Sequence, residues 1–577
     1  MRSPMLYPSA TTVQSGADAE PSSSSRNYLG LRIACWCVAL VLGATDAWAN
    51  RFTMNPDGVS YLDIGDAYWH GDWHNAINAT WSPLYSWILG FFLKVVKPSA
   101  YWEYPLVHLV NFLIYVTALA CFELLLTTYL EDRTIVGRRL AAQGQTGVPG
   151  SSWLLLGYSL FVSSGLIVST LIAPDMCVAA IVFLAGALEL RIRRGTASAL
   201  TYLLLGLVLG TGYLAKAAMF PLAFFFLATA LLAGGLSRRS LSKSALAASA
   251  FLCMCAPFIA ALTHKQGHLT FSEVGTLEYE KRVDDVDPFT PTNDPALLHP
   301  VRTISDRPPT HEFATPISGT YPPTYDETYW HAGLKPRFVL KGQLNAIGLS
   351  LYAYSVILAF YANVTLPFLA LLLIAPSLRS CWRRFATSWP LIVPCVAALA
   401  EYGIVYTEYR YVAPFIIVLW LAAFSSLALI DSPASKRLTS LAVIGITATV
   451  LVFQAAPIAH SLLHEKPAGA EYWQAADALS RFGVKPGDKI ALIAPEPFGA
   501  GGAFVARLLR LHIIADTRRA DQFWASDYLT RVSILNAFYD AGAKAVLAKN
   551  VPPNQPDWVR LGKTSFFVYA FTSRLNR

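Results

Sequence analysis

Apolar positions along the chain form long uninterrupted runs instead of the short alternating patterns of soluble helices and strands. A helix that crosses a membrane needs about 20 mostly apolar residues. Runs of roughly this length occur at residues 28–48, 105–128, 152–172, 175–190, 199–215, 217–236, 244–263, 356–377, 388–406, 411–430 and 438–458. The pattern therefore predicts an α-helical polytopic membrane protein with about eleven transmembrane helices.

The polar residues between these runs predict how the chain is oriented. Arginine and lysine are concentrated in every second connection, and such an excess is typical of cytoplasmic loops. The clusters are Arg133, Arg138 and Arg139; Arg191, Arg193 and Arg194; Arg238, Arg239 and Lys243; Arg379, Arg383 and Arg384; and Lys436 with Arg437. The alternation holds if the N-terminus is cytoplasmic and the apolar stretch 81–97 lies along the outer membrane interface. It also predicts an extracytoplasmic C-terminus.

Long polar segments then fall on the extracytoplasmic side: a first outer loop at 51–104, a second at 264–345, and the tail 465–577. The second loop is rich in Pro and Tyr, and a loop of that length is typical of a lid or binding segment. Short helical and strand patterns alternate along the tail, which predicts a small α/β domain. The Ser-rich residues 1–27 lack periodicity and predict a disordered cytoplasmic lead.

Composition agrees with a membrane protein and excludes several other classes. The 577 residues are 54% hydrophobic and 14% charged, whereas soluble domains carry roughly 25% charged residues. The net charge of +8 comes from the short basic clusters between apolar runs, so it indicates topology and not a nucleic-acid partner. The eight cysteines lie in or beside apolar segments without metal-ligand spacing, which argues against a disulfide framework or structural zinc.

Two carboxylates stand at the predicted outer boundary of the membrane. Asp57 lies in a Pro-Asp-Gly turn directly after the first apolar run, where partial desolvation would raise its pKa toward the range of a general base. Asp175 follows a proline in the outer hairpin between two apolar runs, and an ionisable group at that depth suggests function. Each also has a structural interpretation, because Asp is a common helix N-cap.

Two cations stand at the same boundary. Lys216 interrupts an otherwise continuous apolar run, although a single lysine there can simply snorkel to the interface. Arg410 lies between Tyr409 and Tyr411, and arginine binds phosphate through paired hydrogen bonds. Transporters more often place ionisable groups near the midplane of the membrane. The positions at helix ends thus favour catalysis, with a transporter or flippase for an amphipathic lipid-linked substrate as the alternative.

The order of these motifs resembles that of the GT-C superfamily of polytopic membrane glycosyltransferases, especially the branch of aminoarabinose transferases and protein O-mannosyltransferases. The matching segments are Pro56-Asp57-Gly58-x-x-Tyr61, Trp81-Ser82-Pro83-Leu84-Tyr85, Pro174-Asp175, Gly212-x-x-x-Lys216 and Tyr409-Arg410-Tyr411-x-x-Pro414. The likeness covers residues 28 to about 430, within a predicted transmembrane domain at 28–460. It implies a GT-C-like fold in the bacterial inner membrane.

The resemblance implies transfer of a sugar from a polyprenyl-phosphate-linked donor to a lipid, glycan or protein acceptor on the outer face. Asp57 and Asp175 match the two acidic catalytic positions, and Lys216 and Arg410 would bind the donor phosphate. Substrate-binding roles fall to three tyrosines: Tyr61, Tyr409 and Tyr411. Gly58 stands where protein O-mannosyltransferases carry a glutamate, which favours a lipid or polysaccharide acceptor over a protein.

These motifs do not require a cofactor. The resemblance leaves open whether a divalent metal ion binds at Asp57 and Asp175. His70 and His74 lie near Asp57 in the sequence but show no metal-ligand spacing, so an interfacial position is favoured for them. A noncatalytic member whose tail binds an envelope partner is a further alternative. The presence of both carboxylates argues against it.

Overall fold

The computed structural model describes residues 28–286, 302–313, 319–327, 335–464, 467–494 and 500–571, with the side chains of 134–139 excepted. The predicted disordered lead at 1–27 lies outside these residues. Helices account for most of the described chain, and a sheet forms near the C-terminus. The prediction of a helical membrane protein with a small α/β region is confirmed at this level.

The helices of the membrane bundle differ in number from the prediction. Within the described residues, seven are long and apolar enough to cross a membrane: Leu29–Ala49, Ala100–Ala141, Gly150–Thr170, Arg238–Gln266, Leu340–Phe360, Tyr409–Ser426 and Pro433–Leu463. One more span is formed if Leu378–Thr387 and Trp389–Val405, which meet at 85°, are counted together. The count of eleven is therefore not confirmed.

Short or charged helices explain the difference. The shorter apolar helices are Pro83–Val96, Ala199–Ala215, Met219–Gly234 and Ala362–Leu373. Asp175–Arg193 has the length of a span but carries charged residues at both ends. The predicted helix at 356–377 is wrong in its bounds, because the structure begins a helix at Leu340 and breaks it at Tyr361. Apolar runs alone do not show such breaks.

Two helices at one end of the bundle form most of the segment 51–104. Pro56–His70 packs against Pro83–Val96, which is about 21 Å long at 1.5 Å per residue and too short to cross a membrane. A Cβ on Gly65 would lie 2.7 Å from the carbonyl oxygen of Ser86. Glycine is needed there because the two backbones touch. The short helix Trp73–Ala76 connects the pair.

A seven-stranded sheet lies at the same end of the bundle. Its strands run in the order Arg302–Asp306, Pro309–Glu312, His512–Thr517, Lys489–Ile493, Ala545–Lys549, Phe566–Ala570 and Val559–Arg560. The central three are parallel and the outer pairs are antiparallel. The first two strands come from the long loop, which the sequence did not predict. We call this sheet with its helices Ala470–Ser480, Ala500–Leu508, Ala520–Ala525 and Tyr528–Asp540 the sheet region.

Smaller elements complete the described chain. Helices Val274–Arg282 and Pro322–Tyr325 belong to the long loop. Two short strands, Gln145–Thr146 and Leu429–Ile430, pair at the other end of the bundle. The described parts of the long loop therefore contribute helices and strands of their own.

A buried arginine joins the sheet region to the bundle. Arg507 is 1% exposed and pairs with Asp63 at 2.5 Å, Asp66 at 2.7 Å and Glu103 at 3.0 Å. These carboxylates belong to the helices Pro56–His70 and Ala100–Ala141. The sheet region is thus held against the helix on which Asp57 lies.

Candidate functional site

Asp57 occupies the first turn of its helix, and Asn55 fixes that turn against a hairpin of the bundle. The amide of Ile172 donates to Oδ1 of Asn55 at 3.0 Å, and Nδ2 of Asn55 donates to the carbonyl of Ile172 at 3.4 Å. Gly58 allows this approach, since a Cβ there would lie 2.8 Å from Cβ of Ile172. The same hairpin carries the second predicted carboxylate three residues later.

Asp175 and Lys216 meet at this hairpin. Asp175 is 2% exposed and is the first residue of its helix, whose N-cap is Pro174 and which has no side-chain capping hydrogen bond. Lys216 follows directly after helix Ala199–Ala215 in an extended conformation. Its Nζ lies 2.6 Å from Oδ1 of Asp175 and 3.3 Å from the ring centre of Tyr411. An ion pair and a cation–π contact therefore hold this lysine inward.

Arg410 bridges the carboxylates. Both of its terminal nitrogens lie 3.1 Å from Oδ2 of Asp57, and Nη1 lies 3.7 Å from Oδ2 of Asp175. Its Nε donates to Glu408 at 2.6 Å. We call the five residues Asp57, Asp175, Lys216, Glu408 and Arg410 the charged cluster. The structure thus brings together all four charged residues that the sequence singled out.

The charged cluster has one more carboxylate than it has cations. Burial raises the pKa of Asp57 above its usual range, and although Arg410 acts in the opposite direction, Glu408 and Asp175 raise the pKa further. The environment therefore favours proton uptake by Asp57 more than water does. A carboxylate with a raised pKa is suited to general-base chemistry.

The three predicted tyrosines lie in different places. Tyr411 lies beside the charged cluster, where its hydroxyl accepts a hydrogen bond from Nη2 of Arg410 at 3.2 Å. Tyr61 is buried with its ring 4.9 Å from that of Trp81; burial raises its pKa far above the usual value, and the charge of Asp57 adds to this effect. Tyr409 faces elsewhere, with its hydroxyl 3.1 Å from that of Tyr361. The structure does not bring it to the charged cluster.

The long loop reaches the charged cluster through residues that sequence reasoning did not single out. Glu408 accepts from the hydroxyl of Tyr406 at 2.5 Å, and the guanidinium of Arg282 lies 4.0 Å from the Tyr406 ring centre. Arg282 ends helix Val274–Arg282 of the loop. Glu408 could have been found from the sequence, because it lies two residues before Arg410. Arg282 could not, because the loop shows no periodicity that predicts which of its residues approach the charged cluster.

Glu327 of the same loop lies near Asp57. It forms an ion pair with Lys281. Burial raises the pKa of Glu327, and the negative charge of Asp57 acts in the same direction, while Lys281 lowers the pKa in part. A further carboxylate is thus held close to the charged cluster by the loop.

The described residues contain no group of three or more His, Cys, Asp and Glu side chains arranged to hold a metal ion. The guanidinium of Arg410 lies between the carboxylates of Asp57 and Asp175, which is a poor setting for a divalent cation. His70 bonds through Nδ1 to the carbonyl of Asp66 in its own helix at 2.7 Å. The donors present therefore do not fit a metal site built on Asp57.

No protein-family model matches the chain, and no curated protein matches it by sequence. Among solved structures, ArnT from Cupriavidus metallidurans in the apo state shares 12% identity at a TM-score of 0.53, over 95% of this chain and 99% of that one. The same ArnT bound to undecaprenyl phosphate shares 13% identity at a TM-score of 0.55, over 94% and 98%. An oligosaccharyltransferase from Archaeoglobus fulgidus, tethered with an acceptor peptide, gives 10% identity and a TM-score of 0.46, over 92% and 70%.

The comparison with ArnT defines the fold class. Almost the whole of both chains is aligned, so the likeness includes the sheet region as well as the helical bundle. The chain therefore shares the fold of ArnT, a polytopic fold of the kind that the resemblance in its motifs implies.

Proposed function

We propose that the chain is a membrane glycosyltransferase that moves a sugar from a polyprenyl-phosphate-linked donor to a lipid, glycan or protein acceptor. The charged cluster carries this proposal, because Asp57, Asp175, Lys216 and Arg410 converge there although they lie far apart in sequence. The GT-C fold supports it, and an ArnT structure with undecaprenyl phosphate bound supports the donor class.

In this mechanism Arg410 and Lys216 bind the donor phosphate. The guanidinium fork matches two phosphate oxygens, and the ammonium supplies a point charge. As the bond between the sugar and the phosphate oxygen breaks, both bonding electrons stay with that oxygen. The two cations stabilise this growing negative charge, which is where electrostatic catalysis is most effective.

Asp57 acts as the general base in the same step. The acceptor hydroxyl or amine attacks the anomeric carbon of the sugar while its proton moves to the Asp57 carboxylate. Attack opposite to the leaving phosphate inverts the configuration at that carbon. Asp175 acts through Lys216 and Arg410, which it contacts, and so serves as a positioning residue.

The proposal also assigns the surroundings of the site. Tyr411 lies against both cations and is placed to border the bound phosphate, while Tyr61 forms the wall behind Asp57. The donor tail would lie in the lipid between the helices.

We place the protein in the bacterial inner membrane with the N-terminus in the cytoplasm and the charged cluster on the outer side. This orientation is supported by the alternation of basic loops.

Mass spectrometry of membrane lipids and envelope glycans tests the proposal. Cells lacking the protein are compared with cells that express the wild type, Asp57→Asn, or Asp72→Asn, which alters an exposed carboxylate that caps a neighbouring turn. We expect a polyprenyl-phosphate sugar to accumulate and one glycoconjugate to disappear in the null and in Asp57→Asn only. Normal glycans in Asp57→Asn beside a defect in the null would contradict catalysis and favour the flippase alternative.

A further inference from the structure

A polar cavity lies at the opposite end of the bundle from the charged cluster. Its volume is about 350 Å³. Helix Asp175–Arg193 begins in the charged cluster and ends in the cavity wall. At 1.5 Å per residue the two ends are about 27 Å apart. The cavity is therefore a separate place, and a ligand bound there is independent of the proposed function.

Cations outnumber carboxylates in the wall of this cavity. The charged lining residues are Arg133, Arg193, Arg384, Lys436, Asp132 and Asp431. Both carboxylates are already engaged: Asp132 pairs with Arg193 at 2.5 Å and Asp431 with Lys436 at 2.7 Å. Among the described residues, Arg133 and Arg384 form no ion pair with a carboxylate.

These two arginines flank the same stretch of backbone. A Cβ on Gly147 would lie 3.8 Å from a terminal nitrogen of each guanidinium. Arg133 donates to the carbonyl of Val148 at 2.7 Å, and Arg384 donates through Nη2 to the carbonyl of Ser425 at 3.1 Å. Nε and Nη1 of Arg384 are buried and have no hydrogen-bond partner within the described part of the chain.

Two partly buried guanidinium groups lie close together here without an anion, which is unfavourable for two reasons. Desolvated donors without partners lose the hydrogen bonds that water gave them, and two like charges at close range repel each other. An oxyanion between the groups removes both costs at once. The planar fork of arginine matches the spacing of phosphate oxygens, and such charge-assisted bonds are stronger than bonds between neutral groups.

We propose that this cavity binds a phosphate group through Arg133 and Arg384, supplied by an anionic lipid headgroup or by inorganic phosphate. The position at a bundle end gives a headgroup access from the membrane interface. It equally admits a soluble anion from the aqueous side.

Thermal unfolding of the purified full-length protein in neutral detergent tests this site. One arm titrates sodium phosphate against sodium chloride at equal ionic strength, and a second adds phosphatidic acid and detects retained lipid by native mass spectrometry. All proteins carry Arg410→Gln, which weakens phosphate binding at the charged cluster equally in every variant. We expect one of the two probes to raise the unfolding temperature.

The variants locate the binding. Arg384→Gln should weaken it by at least about tenfold, whereas Arg383→Gln removes the neighbouring exposed arginine of the same helix and should leave it unchanged. Arg133→Gln replaces Arg384→Gln if the latter does not fold. Stabilisation by phosphate alone identifies a soluble anion, and stabilisation by phosphatidic acid alone identifies a headgroup. Absence of both effects in the parent protein, or equal binding by the Arg384 and Arg383 variants, would overturn the proposal.

Discussion

Arg410 is the residue that decides what the charged cluster can do. It contacts the carboxylates of Asp57, Asp175 and Glu408, so the protein itself supplies anions where the donor phosphate is proposed to bind. A donor phosphate must therefore compete with these carboxylates for the same guanidinium. When it does, Asp57 loses the neighbour that lowers its pKa, and its tendency to accept a proton increases.

The raised pKa of Asp57 predicts a shift in the pH dependence of transfer. A general base works in its ionised form, and a raised pKa keeps Asp57 protonated, and inactive, to a higher pH than usual. The rate should therefore fall on the acid side at a pH above about 4, the ordinary range of an aspartate. The decrease is measured from initial rates of transfer across a range of pH, with the donor that lipid mass spectrometry has identified.

The residual transfer rate of Asp57→Asn, measured over the same pH range, provides the control. Asparagine cannot titrate, so the fall in rate at acid pH (the acid limb of the pH–rate profile) should disappear. An acid limb that persists unchanged in Asp57→Asn would assign it to another group, and Glu327 is the first candidate because its pKa is raised as well.

At the scale of elements, helix Pro56–His70 acts as the support of Asp57. Its first turn is fixed to the hairpin at Ile172, its middle touches helix Pro83–Val96, and its later residues bind the sheet region through Arg507. A shift of about 1 Å in a catalytic group can cost orders of magnitude in rate. The three attachments are thus the structural reason that Asp57 stays within reach of Arg410.

Gly58→Ala should separate this helix from the hairpin. The new Cβ would lie 2.6 Å from Sδ of Met54 and 2.8 Å from Cβ of Ile172, and overpacking of this kind costs about 1–3 kcal/mol. We expect transfer to fall by at least about tenfold while the protein still inserts and folds. Activity in membranes and elution of the solubilised protein as a single species measure the two effects.

Gly348→Ala is the matched control, because a Cβ at that helical glycine meets nothing within 4 Å. Its activity should equal that of the wild type. If Gly58→Ala is also fully active, the close approach at Ile172 does not position Asp57.

The four charged residues that the sequence identified stand at the ends of apolar runs. Asp57, Asp175, Lys216 and Arg410 were found because each stands at the end of an apolar run, where a charge is conspicuous. Local signals of this kind do not require knowledge of the fold. The convergence of these residues was suggested by topology and by the resemblance, and the distances in the charged cluster then showed it.

Non-local pairing explains what could not be predicted. Strand Pro309–Glu312 of the long loop pairs with His512–Thr517, about two hundred residues away, and no local pattern indicates that partner. The helix count failed for a related reason, since breaks such as that at Tyr361 are set by packing and not by the apolar run itself.

At the scale of the whole molecule, Arg507 attaches the sheet region to the bundle. Arg507→Gln would leave Asp63 and Glu103 buried, with Arg510 still beside Glu103 at 2.7 Å. Loss of one partner from a buried ionic network costs about 3–5 kcal/mol. We expect the sheet region to separate from the bundle and to become sensitive to protease, as measured by limited proteolysis in detergent.

Arg519→Gln serves as its control, because Arg519 lies in the same region with a side chain 55% exposed and pairs only with Asp521 among the described contacts. Exposed pairs contribute little to stability, so its digestion pattern should match the wild type. Equal resistance of the Arg507 and Arg519 variants would show that the sheet region is held mainly by apolar contacts.

The loop segment 319–327 contacts both the bundle and the sheet region. We predict that it forms a cap over the charged cluster. The carbonyl of Thr324 accepts from Ser60 at 2.6 Å on the Asp57 helix, while the buried hydroxyl of Tyr321 donates to Asp516 of the sheet region at 2.6 Å. A segment held from both sides can exclude water from an activated donor. Water that enters would attack the sugar in place of the acceptor.

Tyr321→Phe removes one attachment and keeps the ring, so it should loosen the cap without emptying the core. We expect the ratio of free to transferred sugar to rise by a few-fold, on the order of the one hydrogen bond lost, as measured by chromatography of a labelled donor. Tyr528→Phe removes a hydroxyl from a side chain exposed on the sheet region and should leave the ratio unchanged. If Tyr321→Phe hydrolyses no more donor than Tyr528→Phe does, then the contact with Asp516 stabilises the fold but does not close the site against water.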